Sequence, residues 1–307
     1  MSEKKQAIET VLKQKVVETT LPTAFEVYTK KLFGEERYNA FCKGLQQPSP
    51  VSIRLNPFKT SKTTKVTDSF APIPVPWCKE GFYLNARPNF TFDPLFHAGA
   101  YYVQEASSMF LSHVLRYLVK RPVALLDLCA APGGKTTCAR TSVPEESIVF
   151  SNEPINKRAQ ILAENVQKFG HSDVVVTNNY PGDYKKTKLA FDVIVADVPC
   201  SGEGMFRKDP QAIAEWSEQN VANCWQLQRT IIADIWDNLK PGGLLIYSTC
   251  TFNAHENEEN IAWILSEYDA ELLEVPTEKT WNIMGSLIEN PLKAGEPFPV
   301  YRFIPGF

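Results

Sequence analysis

From Val123 onward the chain alternates short apolar runs with helical patterns, and this restricts its fold more than any other feature. Residues 123–128, 148–151, 174–177, 191–197 and 243–248 read as strands; 159–169 and 222–239 read as helices, the second stopped by Lys240-Pro-Gly-Gly243. Short hydrophobic strands alternating with helices predict an α/β chain built on a doubly wound parallel sheet. Such sheets bind ligands where the chain leaves the carboxyl ends of the strands.

The first part has a different texture. Residues 5–19 read as one helix and 23–46 as two, split near Phe33-Gly34, while Val51-Ser-Ile-Arg-Leu55 alternates like a strand. The prolines of Ala71-Pro-Ile-Pro-Val-Pro-Trp77 exclude a helix or central strand and point to an extended surface connector. The domain reading is therefore a small α+β module over 1–115 and the sheet domain over 116–307. Residues 1–65 carry twelve Lys or Arg against six Asp or Glu, a net +6; with the chain at −3, the remainder is −9. A basic N-terminal module fits RNA binding, and a solvated helical surface explains the same charge.

No apolar run approaches the ~20 residues of a membrane span, and the polar start carries no secretion signal. Seven scattered cysteines without a Cys-x-x-Cys pair indicate neither a disulfide framework nor a zinc site, so no metal is expected and a reducing cytoplasm fits.

Four segments at strand ends carry chemistry. Leu126-Asp-Leu-Cys-Ala-Ala-Pro-Gly-Gly-Lys-Thr136 runs from a strand through a glycine-rich turn into a helix, whose first N–H groups and close backbone suit a ligand. It is not a P-loop, because Cys129 stands where that motif needs glycine. Ser151-Asn-Glu153 ends the next strand, where a carboxylate can accept both hydroxyls of a ribose. Asp197-Val-Pro-Cys-Ser-Gly-Glu-Gly204 and Tyr247-Ser-Thr-Cys-Thr251 each place a cysteine just beyond an apolar strand. A lone cysteine is usually a small buried hydrophobe. If the two strands are neighbours, ~4.8 Å apart, both sulfurs can face one pocket.

Together with Ser52-Ile-Arg-Leu-Asn-Pro57, Gly99-Ala-Tyr-Tyr-Val-Gln-Glu-Ala-Ser-Ser108 and Arg207-Lys-Asp-Pro210, these motifs resemble the NOL/NOP/Sun family of RNA cytosine-5-methyltransferases. The resemblance runs from about Leu21 to the end and is nearest in texture to the bacterial ribosomal-RNA members. It implies a Rossmann-like methyltransferase sheet, S-adenosyl-L-methionine as cofactor and RNA, most naturally ribosomal RNA or a small-subunit particle, as partner. It also implies roles: Cys250 as nucleophile on carbon 6 of cytosine, Cys200 in breaking down the covalent intermediate, and Asp197 bonding the base at N3. Lys135 would lower the thiol pKa and steady the base. Cys129, Ala130, Ala131, Pro132, Gly133, Gly134 and Lys135 would wrap the cofactor, with Asp197 beside it, and Glu153 would hold its ribose.

Two departures follow. Tyr180 stands where relatives often carry an acidic residue near the adenine, leaving Asn178, Asn179 or backbone to substitute. Relatives also continue beyond Arg302-Phe-Ile-Pro305 into a further strand, so the resemblance implies a shortened end and an open sheet edge. The target cytosine must be unpaired or flipped. Tyr101, Tyr102, Phe206 and Trp216 are candidates to stack bases, although such aromatics are more often core. The alternatives are a DNA cytosine-5-methyltransferase, which would attack with the Pro-Cys cysteine; a transfer-RNA methyltransferase; and an RNA-binding assembly factor without turnover.

Overall fold

A computed structural model of the chain describes residues 20–60 and 72–307, so the helix expected at 5–19 lies outside the described residues. The elements are α1 (Thr23–Phe33), α2 (Glu35–Leu45), β1 (Val51–Leu55), β2 (Ile73–Val75), β3 (Cys78–Leu84), α3 (Pro94–His97), β4 (Tyr101–Val103), α4 (Phe110–Leu118) and β5 (Ala124–Asp127). They continue with α5 (Gly134–Ser142), β6 (Ile148–Asn152), α6 (Asn156–Phe169), β7 (Val174–Thr177), β8 (Phe191–Asp197), α7 (Pro210–Glu215), α8 (Glu218–Ile235), β9 (Leu239–Ser248) and α9 (Glu258–Glu267).

Strands β5 to β9 form one sheet in the order β7-β6-β5-β8-β9, every pair parallel. Successive residues serve opposite layers: Leu125 packs with Leu115 and Cys138 on one face, Leu126 with Ile194 and Ile232 on the other. Both faces are covered, and this is why the strands read as unbroken apolar runs. The α/β expectation holds. The strand order turns back between β5 and β8, so their carboxyl ends open a crevice.

The helices expected at 159–169 and 222–239 begin earlier, at Asn156 and Glu218, and the second one also ends earlier. The α8 helix ends at Ile235 and a short 3-10 turn, Trp236–Asn238, follows. Lys240-Pro-Gly-Gly243 belongs to β9 instead of terminating the helix. Asn238 sets the turn by donating its side-chain amide to the carbonyls of Tyr184 and Leu189, contacts that no local pattern reveals.

The N-terminal sheet is antiparallel, in the order β2-β3-β1-β4. Gly34, with φ of 76°, separates α1 from α2 where the sequence predicts a break. The proline-rich connector contributes β2, an edge strand, where the missing N–H of Pro74 is tolerated. In the other sheet, β9 is the outer strand and pairs with β8 alone among the described strands. No described helix is long and apolar enough to cross a membrane.

Beyond α9 the chain is mostly irregular and returns to the N-terminal helices. Ile304 joins Phe25, Phe33 and Phe41 in one cluster. Gly44 permits this approach, since a Cβ there would stand 2.3 Å from the backbone nitrogen of Gly306. Arg302 closes the segment: its guanidinium grips the Glu258 carboxylate and donates to the Phe252 carbonyl at 2.9 Å. Both charges are buried, Glu258 at 0% exposure. Arg302→Met should therefore destabilise the fold by about 3–5 kcal/mol, by stranding a buried carboxylate. Urea denaturation measures this, and a change below about 1 kcal/mol would show the pair to be dispensable.

Candidate active site

The β8 and β9 strands run side by side with Asp197 opposite Ser248, so the loops that follow them leave the sheet together. Cys200 and Cys250 meet there, Sγ to Sγ at 3.1 Å. Lys135, from the first turn of α5, reaches across the crevice to Asp197 at 2.8 Å. Ser248 donates to the other Asp197 oxygen at 2.7 Å. The structure thus brings all four residues, Cys250, Cys200, Asp197 and Lys135, to one rim.

The two thiols differ in environment. The hydrogen bond from Cys200 lowers the Cys250 pKa, burial and Asp197 oppose this, and the positive charge of Lys135 adds to the lowering. Cys200 is pushed the other way, first by that bond and then by burial. The resulting pair is a thiolate-prone Cys250 held by a protonated Cys200. Lys135 stays charged: burial disfavours its ammonium, but Asp197 beside it more than compensates.

A reciprocal pair of buried carboxylates holds the loops. Glu203, beyond Cys200, accepts from the backbone N–H groups of Phe252 and Asn253 and from the Trp216 indole. Glu256, beyond Cys250, accepts from the Ser201 N–H, from Gln228 and from Asn253. The Gly204 N–H also donates to the Cys250 carbonyl at 2.6 Å, and a Cβ at Gly204 would collide with that oxygen at 2.3 Å. Sequence reasoning missed both carboxylates as loop clamps. An acidic residue after each cysteine was the available signal, but the backbone N–H groups that tie the loops together, Phe252 and Asn253 for Glu203 and Ser201 for Glu256, lie on the opposite loop.

Across the crevice, the 129–135 turn carries Cys129, Ala130, Ala131, Pro132, Gly133 and Gly134 from β5 into α5. Gly133, with φ of 112°, makes the bend. The Ala130 N–H donates to the Asn152 carbonyl, which ties the turn to β6. Glu153 is buried beside it; one oxygen accepts from the Ile155 N–H at 3.1 Å. The other has no hydrogen-bond partner among the described residues, with Arg158 at 3.4 Å. Asn178 donates to the Glu153 and Pro154 carbonyls, whereas the Tyr180 side chain is exposed.

Of the four aromatics considered for base stacking, Tyr101, Phe206 and Trp216 are buried core residues. Half-buried Tyr102 lies against Gly134. An open groove of about 1650 Å³ leads to the cysteines and is lined also by Trp77, Tyr83 and Arg207.

Asp127 lies beneath the turn, and burial raises its carboxyl pKa to about 7 despite the 2.6 Å bond donated by Thr136. In an unfolded chain it ionises near pH ~4, so between about 4 and 7 the unfolded state loses this proton first and stability falls as pH rises. Asp127→Asn should flatten that decline in urea midpoints measured across the range. An unchanged slope would refute the assignment.

Comparison with known proteins places this arrangement. Residues 119–291 match the family described as 16S rRNA methyltransferase RsmB/F, and residues 21–106 match the N-terminal domain of 16S rRNA methyltransferase RsmF. The chain belongs to the RsmB/F methyltransferase family. It is 36% identical over 245 residues to ribosomal RNA small subunit methyltransferase F of Pectobacterium atrosepticum, covering 74% of this chain and 49% of that protein. The Cronobacter sakazakii protein of the same name is 36% identical over 266 residues, 81% of this chain and 54% of the relative. The chain thus spans about half the length of these curated relatives. A methyltransferase homolog from Pyrococcus horikoshii superposes with a TM-score of 0.73 at 29% identity, over 85% of this chain and 84% of that one. NSun6 from the same organism, solved with SFG, shares the fold at a TM-score of 0.71 and 20% identity, over 80% and 87% of the two chains.

Proposed function

We propose that this chain methylates carbon 5 of cytosine in RNA, with ribosomal RNA of the small subunit as its substrate and S-adenosyl-L-methionine as methyl donor. The observation that carries the reading is the cysteine pair at 3.1 Å beside the Lys135–Asp197 ion pair. The activity for which the relatives are named supports the ribosomal substrate.

The residues present fit the cofactor. Glu153 has a buried carboxylate oxygen without a hydrogen-bond partner among the described residues, which a ribose hydroxyl would satisfy, and the 129–135 turn presents backbone at the switch point of the sheet. Asn178 and Tyr180 border the same crevice end. When bound, the cofactor supplies an electrophilic methyl group.

The chain's own part is to make carbon 5 nucleophilic. Cys250 Sγ adds to carbon 6 of the base, and the electrons of the 5,6 double bond move towards N3 and O2. As that charge develops N3 takes up a proton, relayed from the Lys135 ammonium through the Asp197 carboxylate that Ser248 and Lys135 hold. Once carbon 5 carries its new substituent, its proton passes to water in the groove as the C6–S bond breaks and the 5,6 double bond reforms, and N3 returns its proton through Asp197 to Lys135. Cys200 assists because its S–H bonds to the sulfur that must depart; the donor that lowers the Cys250 pKa also makes Cys250 a better leaving group.

We assign residues 1–115 to RNA recognition and 116–307 to catalysis, with the groove as the path by which a flipped cytosine reaches Cys250. The cytoplasm, where thiols stay reduced and RNA is processed, is part of the same proposal. Incubating the protein with tritiated S-adenosyl-L-methionine and small-subunit particles, then mapping 5-methylcytosine, tests it. Cofactor binding without transfer to ribosomal RNA would reject the ribosomal substrate; transfer to transfer RNA alone would replace it.

A further inference from the structure

Arg54 is among the most deeply buried side chains in the molecule, at 2% exposure, although it begins on β1 in the N-terminal sheet. Its Nε donates to Gln104 Oε1 at 2.7 Å. One terminal nitrogen donates to the Thr137 carbonyl and the Thr141 hydroxyl, both at 3.3 Å. The other donates to the Thr137 hydroxyl at 2.5 Å and the Gly134 carbonyl at 3.4 Å. Gln104 is held in turn by β1, because the Ser52 hydroxyl donates to its carbonyl at 2.6 Å. The guanidinium fork therefore spans two modules, with four of its five bonds on α5.

Stability alone does not explain this arrangement. No carboxylate pairs with Arg54 among the described residues, and burying an unpaired charge is costly. Its bonds to Gly134 and Thr137 also lie at the N-terminal end of a helix, whose dipole disfavours a cation. What the fork does is geometric. It holds the turn Gly134–Thr137, and within that turn lies Lys135, which pairs with Asp197 at 2.8 Å and whose positive charge acts on Cys250. Tyr102 and Gln104 back the same turn, lying 3.4 and 3.5 Å from where a Cβ at Gly134 would stand.

We propose that Arg54 is a positioning residue: from the N-terminal module it sets the first turn of α5, and so fixes Lys135 against Asp197 and Cys250 and shapes the 129–135 turn. The consequence for cofactor binding rests on the function proposed above; the consequence for Cys250 does not. On this account the N-terminal module does more than hold RNA, because the catalytic lysine depends on it for its place.

The test uses the full chain in three variants, Arg54→Met, Arg54→Lys and Thr137→Val. The first readout is the pH dependence of iodoacetamide alkylation at Cys250, followed by peptide mass spectrometry because the chain has seven cysteines. The second is calorimetric binding of S-adenosyl-L-methionine. In Arg54→Met the alkylation midpoint should move up towards the ordinary thiol range, and binding should weaken about tenfold, as expected for lost charge-assisted hydrogen bonds. Arg54→Lys keeps the charge without the fork and should fall between wild type and Arg54→Met. Thr137→Val removes one acceptor from the α5 side and should shift both readouts in the same direction.

Should Arg54→Met fail to fold, the other two variants decide. A lower melting temperature with an unchanged alkylation midpoint and unchanged affinity would make Arg54 merely structural and overturn the proposal. If the wild type binds no cofactor, the functional reading fails, while the alkylation series still decides the role of Arg54.

Discussion

Cys250→Ala should abolish methyl transfer to RNA, a loss on the order of 10⁴-fold or more, while cofactor affinity stays close to wild type. The size of the effect follows from the chemistry. Carbon 5 of cytosine gains useful nucleophilicity only after a thiolate adds to carbon 6, and of the two thiols lining the groove Cys250 is the one whose pKa is lowered while that of Cys200 is raised. Tritium incorporation measures turnover, and calorimetry on the same sample shows that the cofactor crevice is intact. Retention of more than about a tenth of the activity would remove Cys250 as nucleophile, since general acid–base or positioning effects of that size lie well below a lost covalent pathway.

Cys200→Ala should do something different: RNA should accumulate as a covalent adduct on the protein, visible as a denaturant-stable band. With the S–H donor gone, the Cys250 thiolate is a poorer leaving group, and C6–S cleavage slows more than attack. The same substitution should raise the pH needed to alkylate Cys250, because its largest stabilising partner has been removed. An adduct in Cys250→Ala and none in Cys200→Ala would reverse the two roles and favour the order of attack used by DNA cytosine-5-methyltransferases.

Much of the frame was readable from local pattern. The runs at 148–151, 174–177 and 191–197 became strands within a residue of their expected limits, because a strand buried on both faces must be apolar along its whole length. Gly34 marked a break that backbone geometry enforces, and the prolines of the 71–77 segment confined it to an edge. The end of α8 was misplaced, since Asn238 is captured by carbonyls some fifty residues away. Trp216 and Phe206 were candidates to stack bases although such aromatics are more often core, and core they are: one donates to buried Glu203 and both join the cluster around Phe25.

The site divides in the same way. The sequence by itself determined which residues can do chemistry: two cysteines beyond apolar strands, a carboxylate at Asp197 and a lysine opening a helix after a glycine-rich turn. It also determined that they sit at strand ends, because apolar periodicity stops there. Only the tertiary structure decided that β8 and β9 are neighbours, which turns a separation of fifty residues into 3.1 Å between sulfurs. It alone set the thiols apart, since the hydrogen bond between them favours the thiolate of Cys250 and the thiol of Cys200, with Lys135 adding its charge from α5. It alone brought Arg54 from another sheet to that helix. Local pattern records what a residue's own strand or helix requires; distance between elements depends on sheet order and packing, which are properties of the whole chain.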